Sequence, residues 1–76
     1  MHARAAAKLV NLAARYEAQI EVEKDGQTAD AKSIMGVLLL CGHQGALISI
    51  RARGRDANAA VTALTELVRT GFGEDS

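Results

Sequence analysis

The sequence predicts a small two-layer α+β domain, with an antiparallel sheet that carries helices on one face and elements in the order α-β-β-α-β-α. Two observations support this class. Apolar residues recur at helical spacing in the first and last of the predicted helices, and they alternate with polar residues in the predicted strands. A chain of 76 residues is also near the lower size limit for a self-sufficient core, so residues 1–76 are expected to form a single domain.

The first half of the chain predicts a helix followed by a hairpin. Ala3–Tyr16 consists of strong helix formers with apolar side chains along one face. Gln19–Lys24 alternates apolar and polar residues, which is typical of a half-buried strand. Asp25-Gly26 is a turn signal, and Gln27–Ala31 is predicted to form the partner strand.

The second half predicts two further helices and one strand. Ser33 is the expected N-cap of a short helix that ends near Gly42. Ala46–Arg53 alternates again and predicts the third strand. Asp56 is expected to cap the last helix, whose apolar stripe ends at Gly71.

The composition argues against several classes of function. Nine basic residues balance nine acidic ones, and the chain has only one tyrosine and one phenylalanine, which disfavours nucleic-acid binding. No apolar run is long enough to cross a bilayer, and the lone Cys41 cannot form an internal disulfide. The potential metal ligands do not form a recognisable set. We therefore expect a cytoplasmic protein with no cofactor, metal, nucleic-acid or membrane partner.

The start of the chain holds the strongest candidate for chemistry. His2 offers an imidazole that is largely neutral and nucleophilic near pH 7. The free N–H groups of a helix start and the Arg4 guanidinium both favour a phosphoryl group at this place. An unordered terminal histidine or a cloning remnant is the alternative interpretation. The other histidine, His43, lies in a glycine-containing loop and is interpreted as solvent-exposed.

A second candidate lies at the start of the middle helix. The Ser33 hydroxyl is either an ordinary N-cap or a modification site. The residues that follow it are apolar around the whole helix, so a helix lying on a sheet must leave part of them exposed. Exposed apolar patches usually mark docking surfaces. The alternative is that a further structural element or a second copy of the chain covers this patch.

Two motifs together resemble one known family. His2-Ala3-Arg4-Ala5-Ala6 resembles the active-site signature of HPr, the histidine-containing phosphocarrier of the bacterial phosphotransferase system. The segment 32–37, Lys-Ser-Ile-Met-Gly-Val, is similar to the regulatory-serine segment of that family and lies at the same spacing from the histidine. The resemblance spans essentially the whole chain. It implies the HPr-like open-faced β-sandwich, β-α-β-β-α-β-α, without the first strand.

The resemblance also implies partners and roles for individual residues. His2 would accept a phosphoryl group from enzyme I on Nδ1 and pass it to an A-type component of a sugar permease or of a nitrogen-regulatory system. Arg4 would stabilise the phosphate, and the protein would be a carrier without turnover of its own. Ser33 would be phosphorylated by an ATP-dependent HPr kinase/phosphorylase. The expected partner-docking residues lie on the first two helices: Ala7, Asn11, Ile34, Met35 and Leu38.

Two departures from the family pattern affect this interpretation. Ala5 stands where the family usually has proline, which is preorganised for an early helix position, so the rate of transfer is in question. The strand that precedes the histidine in the family is missing, and our hypothesis is that an internal methionine, Met1, has been taken as the start. We expect a monomer. If the chain does begin at Met1, the third strand has an open edge, and dimerisation or strand exchange becomes favourable.

Two questions stay open from the sequence. The tail 69–75 is similar to that of NPr, the nitrogen-system relative, whereas the serine segment favours an HPr kinase target, so the branch is undecided. An alternative function is a regulatory interaction protein that acts through Ser33 and the apolar helix without phosphoryl relay, for example by binding a transcription regulator when phosphorylated. A plain interaction module is a further alternative.

Overall fold

The computed structural model describes residues 3–41 and 48–71, which form three helices and one three-stranded sheet. The elements in chain order are α1 (Ala3–Ala13), β1 (Gln19–Lys24), β2 (Gln27–Asp30), α2 (Ile34–Cys41), β3 (Ser49–Arg53) and α3 (Ala57–Arg69). The order α-β-β-α-β-α and the α+β class are thus confirmed. None of the helices in these two ranges has the length and apolar character needed to cross a membrane.

The sheet is antiparallel with the strand order β2-β1-β3. A two-residue turn joins β1 to β2, with Lys24 opposite Gln27. Asp25 and Gly26 both have positive φ, 53° and 81°, and such turns follow the natural twist of paired strands. The predicted hairpin is therefore confirmed. The strand β2 ends at Asp30, one residue before the predicted Ala31, and β3 begins at Ser49, so Ile48 is not part of it, contrary to the prediction. The predicted start of the third strand, Ala46, lies outside the described residues.

Helix α1 is shorter than the sequence predicts, because it ends at Ala13 instead of Tyr16. Beyond it, the Arg15 N–H donates to Leu12 O at 3.1 Å and the Tyr16 N–H donates to Ala13 O at 3.2 Å. These bonds span three residues instead of four, so the last turn tightens and the chain turns towards β1.

The core lies between the helices and one face of the sheet. Ile20 and Val22 of β1 point into it, whereas Glu21 and Glu23 point to the other face, as predicted. The four largest fully buried side chains are Leu9, Val22, Val37 and Leu64. Helix α1 packs against both α2 and α3, so burial of its apolar face fixes the direction of the helix start.

The predicted capping role of Asp56 is wrong in one respect. Asp56 does precede α3, but its side chain makes no capping hydrogen bond. Instead, one carboxylate oxygen accepts the Glu17 N–H and the other accepts the Ala18 N–H, each at 2.9 Å. The two segments meet closely, since a Cβ on Gly54 would lie 3.0 Å from the Ala18 Cα. The carboxylate therefore joins the start of α3 to the link between α1 and β1.

We expect this contact to make stability depend on acid pH. The Glu17 N–H bond lowers the pKa of Asp56 below its usual 3.8, desolvation opposes this, and the Ala18 N–H and Lys32 lower it further. A pKa that is lower in the folded state gives stability above the unfolded-state pKa and loses it as the pH falls through the folded-state value. Asp56→Asn should therefore lower the thermal midpoint at neutral pH, and the difference from wild type should shrink below about pH 4.

Thermal unfolding followed by circular dichroism between neutral and acid pH measures this effect. Asp25→Asn is the matched control, because Asp25 is exposed and its φ of 53° suits asparagine. A constant difference between Asp56→Asn and wild type at all pH values would contradict the proposed role of the carboxylate charge.

Candidate functional site

The start of α1 places a basic side chain at the surface. His2 lies outside the described residues, so the structure describes the site from Ala3 onwards. Ala3 and Arg4 are exposed, whereas Ala5 and Ala6 are already buried. Among the described residues, Arg4 has no ion pair or hydrogen bond from its side chain. A free guanidinium beside a helix start is suited to binding phosphate oxygens.

Three of the predicted site residues form one line along α1. Arg4, Ala7 and Asn11 are spaced three and four residues apart, on the side opposite the buried residues. Arg4 and Asn11 are exposed, and Ala7 is half-buried. Helix α1 packs against α2, which is the helix that carries the other predicted docking residues.

The Ser33 side chain caps α2, as the sequence predicts. Its Oγ accepts the Gly36 N–H at 3.1 Å, and its carbonyl accepts the Val37 N–H at 2.9 Å. A Cβ on Gly36 would lie 3.3 Å from this Oγ and 3.4 Å from the Ala29 Cβ. Glycine at this position therefore lets the first turn of α2 pack against β2 and leaves room around the hydroxyl.

The turn before Ser33 is held by hydrogen bonds that the sequence analysis missed. The Lys32 N–H donates to Asp30 Oδ1 at 2.9 Å, and the Lys32 ammonium donates to the Tyr16 carbonyl at 2.7 Å. The Ser33 N–H donates to Asp30 O at 3.0 Å. The bond from Lys32 to Asp30 could have been predicted from the sequence, because aspartate side chains in turns often accept a hydrogen bond from the backbone N–H two residues later. The bond to Tyr16 depends on the tertiary fold.

Helix α2 leaves an apolar surface open to solvent. Val37 and Leu40 are buried against the core, whereas the exposed fractions of Ile34, Met35 and Leu39 are 39%, 64% and 77%. The expected partial exposure is therefore confirmed. Leu38 is half-buried between these residues.

The sequence analysis omitted Leu39 from the docking residues, although it is four positions after Met35 and lies on the same side of the helix. This i, i+4 spacing was the available signal. Below, the name α2 patch refers to Ile34, Met35, Leu38 and Leu39.

The arrangement favours recognition at a surface over binding in a cavity. Within residues 3–41 and 48–71, no three His, Cys, Asp or Glu side chains lie close enough together to hold a metal ion. An open concavity lies on the outer face of the sheet, lined by polar residues that include Glu21, Asp30, Arg51 and Arg53. It does not include the start of α1 or the α2 patch.

Comparisons with known proteins show which family this chain is similar to. Residues 1–70 match the protein family described as "PTS HPr component phosphorylation site". The chain is 42% identical over 76 residues to phosphocarrier protein HPr of Xylella fastidiosa strain Temecula1, covering all of this chain and 85% of that protein. It is 40% identical over 76 residues to phosphocarrier protein NPr of Shewanella violacea, covering all of this chain and 84% of that protein.

A solved structure of an HPr protein has the same fold as this chain. The crystal structure of HPr from Thermoanaerobacter tengcongensis matches with a TM-score of 0.90 and 43% sequence identity, over 99% of this chain and 84% of that one. The expected open-faced α+β fold is thereby confirmed.

Proposed function

The chain belongs to the HPr family of phosphocarrier proteins of the phosphotransferase system, and from this we propose that His2 is the residue that carries the phosphoryl group. The exposed Arg4, two residues later at the start of α1, is the observation that supports the proposal most directly. The start of α1 supplies free N–H groups and positive dipole charge, which also favour a bound anion.

The proposed step is a displacement at phosphorus. The neutral Nδ1 of His2 attacks the phosphoryl group on enzyme I, a bond from nitrogen to phosphorus forms, and the bond from phosphorus to enzyme I breaks with its electron pair staying on enzyme I. Arg4 balances part of the charge on the phosphoryl oxygens. In a second displacement, a nucleophile on an A-type component of a sugar permease or of a nitrogen-regulatory system attacks the phosphoryl group on His2, and the bond from nitrogen to phosphorus breaks with its electron pair returning to Nδ1. For this transfer, the chain needs to supply little more than positioning of His2 and stabilisation of the phosphoryl charge.

We propose that the docking surface for these partners consists of two parts on neighbouring helices. On α1 it comprises Ala7 and Asn11, and on α2 it comprises the α2 patch, to which Leu39 is added by its exposure. Arg4 lies on the same line of α1 as Ala7 and Asn11, so a partner seated there would meet the phosphoryl site as well.

The proposed regulatory site is Ser33. An HPr kinase/phosphorylase would transfer a phosphoryl group from ATP to its Oγ, which lies at the N-terminus of α2 and beside Ile34 and Met35. The phosphate would add roughly two negative charges next to the apolar patch. The helix N-terminus tolerates this charge, whereas an apolar partner surface must desolvate it, so binding of enzyme I should weaken.

Two measurements test Ser33. Incubation with an HPr kinase and labelled ATP should give acid-stable label on wild type and none on Ser33→Ala. Ser49→Ala is the matched control, because Ser49 is an exposed serine on β3. The second measurement is urea unfolding. Ser33→Ala should have an unfolding free energy about 1 kcal/mol lower than wild type, since the substitution removes the side chain that caps α2. Full labelling of Ser33→Ala would contradict the assignment.

A separate experiment tests the transfer of the phosphoryl group from this chain to an acceptor. Wild-type protein loaded by enzyme I and labelled phosphoenolpyruvate is purified and mixed with an A-type component. The label should leave this chain and appear on the A-type component. Label that stays on the chain until it hydrolyses would contradict the carrier function.

The exposure of Met35 and Leu39 favours one second candidate, an interaction protein that acts through the α2 patch without relay. Failure of the relay together with binding to a partner would support that candidate instead.

A further inference from the structure

The concavity on the outer face of the sheet is separate from the phosphoryl site and from the α2 patch. Its volume is about 760 Å³, which lies within the range of about 300–1,000 Å³ that small-molecule sites usually have. The core and the helices lie on the other face of the sheet. A strand added beside β3 would extend the sheet in its own plane, so it would leave this face open.

Three side chains with nitrogen donors lie together at one end of the concavity. Gln19 on β1 lies opposite Arg53 on β3, and Lys32 follows β2 on the other side of β1. Strands β2 and β3 lie about 10 Å apart, which is two strand spacings. Long side chains from both sides can therefore reach a group held over β1. Below, the name donor row refers to Gln19, Lys32 and Arg53.

The positive charge of the donor row is not neutralised by ion pairs. Across residues 3–41 and 48–71, the Arg53 side chain has no ion pair or hydrogen bond. The Lys32 ammonium donates to Tyr16 O at 2.7 Å, which fixes its position and leaves its charge and two further N–H donors. Lys32 acts electrostatically on Asp56, but the Asp56 carboxylate does not line the concavity.

These donors match the oxygens of a phosphate group. A guanidinium offers a planar fork of N–H groups to two oxygens, and hydrogen bonds between ionised groups are stronger than neutral ones. The ammonium and the exposed amide of Gln19 supply further donors beside it. The donor row contains no carboxylate that would repel the anion.

The next part of the concavity has the opposite character. Arg51 forms an ion pair with Glu21 at 3.0 Å, and Asp30 Oδ1 accepts the Lys32 N–H at 2.9 Å. The remaining lone pairs of both carboxylates and the exposed Thr28 hydroxyl can accept hydrogen bonds from hydroxyl groups. A second anionic group would be repelled here, so one anionic end and a hydroxylated body fit best.

We propose that this concavity binds a phosphate monoester of a small hydroxylated compound. The phosphate lies over Gln19, between Lys32 and Arg53, and the body extends towards Glu21 and Asp30. Binding is reversible and includes no covalent step. The proposal does not depend on the phosphocarrier function.

The direct test is an NMR titration of the ¹⁵N-labelled wild-type chain with ribose 5-phosphate, ribose and inorganic phosphate. Ribose 5-phosphate should shift the amides of the donor row to saturation. Inorganic phosphate should shift the same amides with an affinity lower by at least about tenfold, a conventional unit of affinity change. Ribose should shift none. No saturable shift with ribose 5-phosphate, or equal binding of ribose, would overturn the proposal. Shifts confined to the start of α1 would also overturn it, since the ligand would then occupy the phosphoryl site.

An arginine pair tests the position of the phosphate. Arg53→Gln should weaken ribose 5-phosphate binding at least about tenfold, because it removes the guanidinium fork. Arg55→Gln is the matched control, since Arg55 is exposed two residues later and does not line the concavity. Equal weakening by both variants, or none by Arg53→Gln, would overturn the proposal.

A glutamine pair provides an independent test at exposed positions, where substitutions have little effect on folding. Gln19→Glu places a carboxylate under the phosphate and opposite Arg53, so ribose 5-phosphate should bind more weakly than to wild type. Gln27→Glu adds the same charge at an exposed position that does not line the concavity and should bind like wild type. Wild-type affinity in Gln19→Glu, or equal losses in both variants, would contradict the assigned site.

Discussion

Replacing His2 by alanine is expected to abolish the acceptance of acid-labile phosphate from enzyme I. An alanine methyl group has no lone pair, and no other side chain in residues 1–8 is an imidazole. Label transfer from labelled phosphoenolpyruvate through enzyme I measures the effect, with the label quantified after gel separation at alkaline pH.

The matched control for this loss is the other histidine. His43→Ala removes the only other imidazole of the sequence and should accept phosphate at the wild-type rate. His2→Asn keeps a polar side chain but lacks the basic ring nitrogen, so it should be as inactive as His2→Ala. Acid-labile label on His2→Ala, or its loss in His43→Ala, would show that the phosphoryl group is carried elsewhere.

Replacing Leu9 by alanine is expected to cost about 2–5 kcal/mol of unfolding free energy. The Leu9 side chain is fully buried, so the substitution removes apolar contacts and leaves a cavity. Small domains have total stabilities near the low end of about 5–15 kcal/mol, so a loss of this size removes a large part of the unfolding free energy. Urea unfolding followed by circular dichroism gives the change in free energy.

Leu39→Ala is the matched control for the core substitution, because the same atoms are removed from a side chain that is 77% exposed. Its unfolding free energy should stay within about 0.5 kcal/mol of wild type. The control should instead weaken partner docking, since Leu39 belongs to the α2 patch. Similar destabilisation by both variants would contradict the described burial of α1 and the exposure of α2.

Local sequence patterns were sufficient to predict the central strand, β1, and the start of α2. The bounds of β1, Gln19–Lys24, were predicted correctly because alternation and the following Asp25-Gly26 turn determine both its face and its end. The N-cap role of Ser33 was predicted for the same reason, since the capping contact spans only three residues.

Contacts between distant segments account for what the sequence could not predict. The Asp56 carboxylate binds amides 38 and 39 residues earlier, although its position suggests a local cap. Helix α1 ends at Ala13 although helix formers continue, because the chain must turn to enter the sheet. At the site, the continuous apolar run indicated an exposed apolar surface on α2, but the tertiary fold decided that Leu39 is its most exposed large apolar side chain.

The central claim, that His2 carries the phosphoryl group, is tested most directly by locating that group on the wild-type chain. The protein is labelled with ¹⁵N at histidine, loaded by enzyme I and phosphoenolpyruvate, and studied by intact mass and imidazole ¹⁵N resonances. We predict a mass increase of one phosphoryl group, with a shifted Nδ1 resonance of His2 and unchanged resonances of His43. A phosphoryl group on any other residue, or an unmodified chain in the presence of active enzyme I, would contradict the claim.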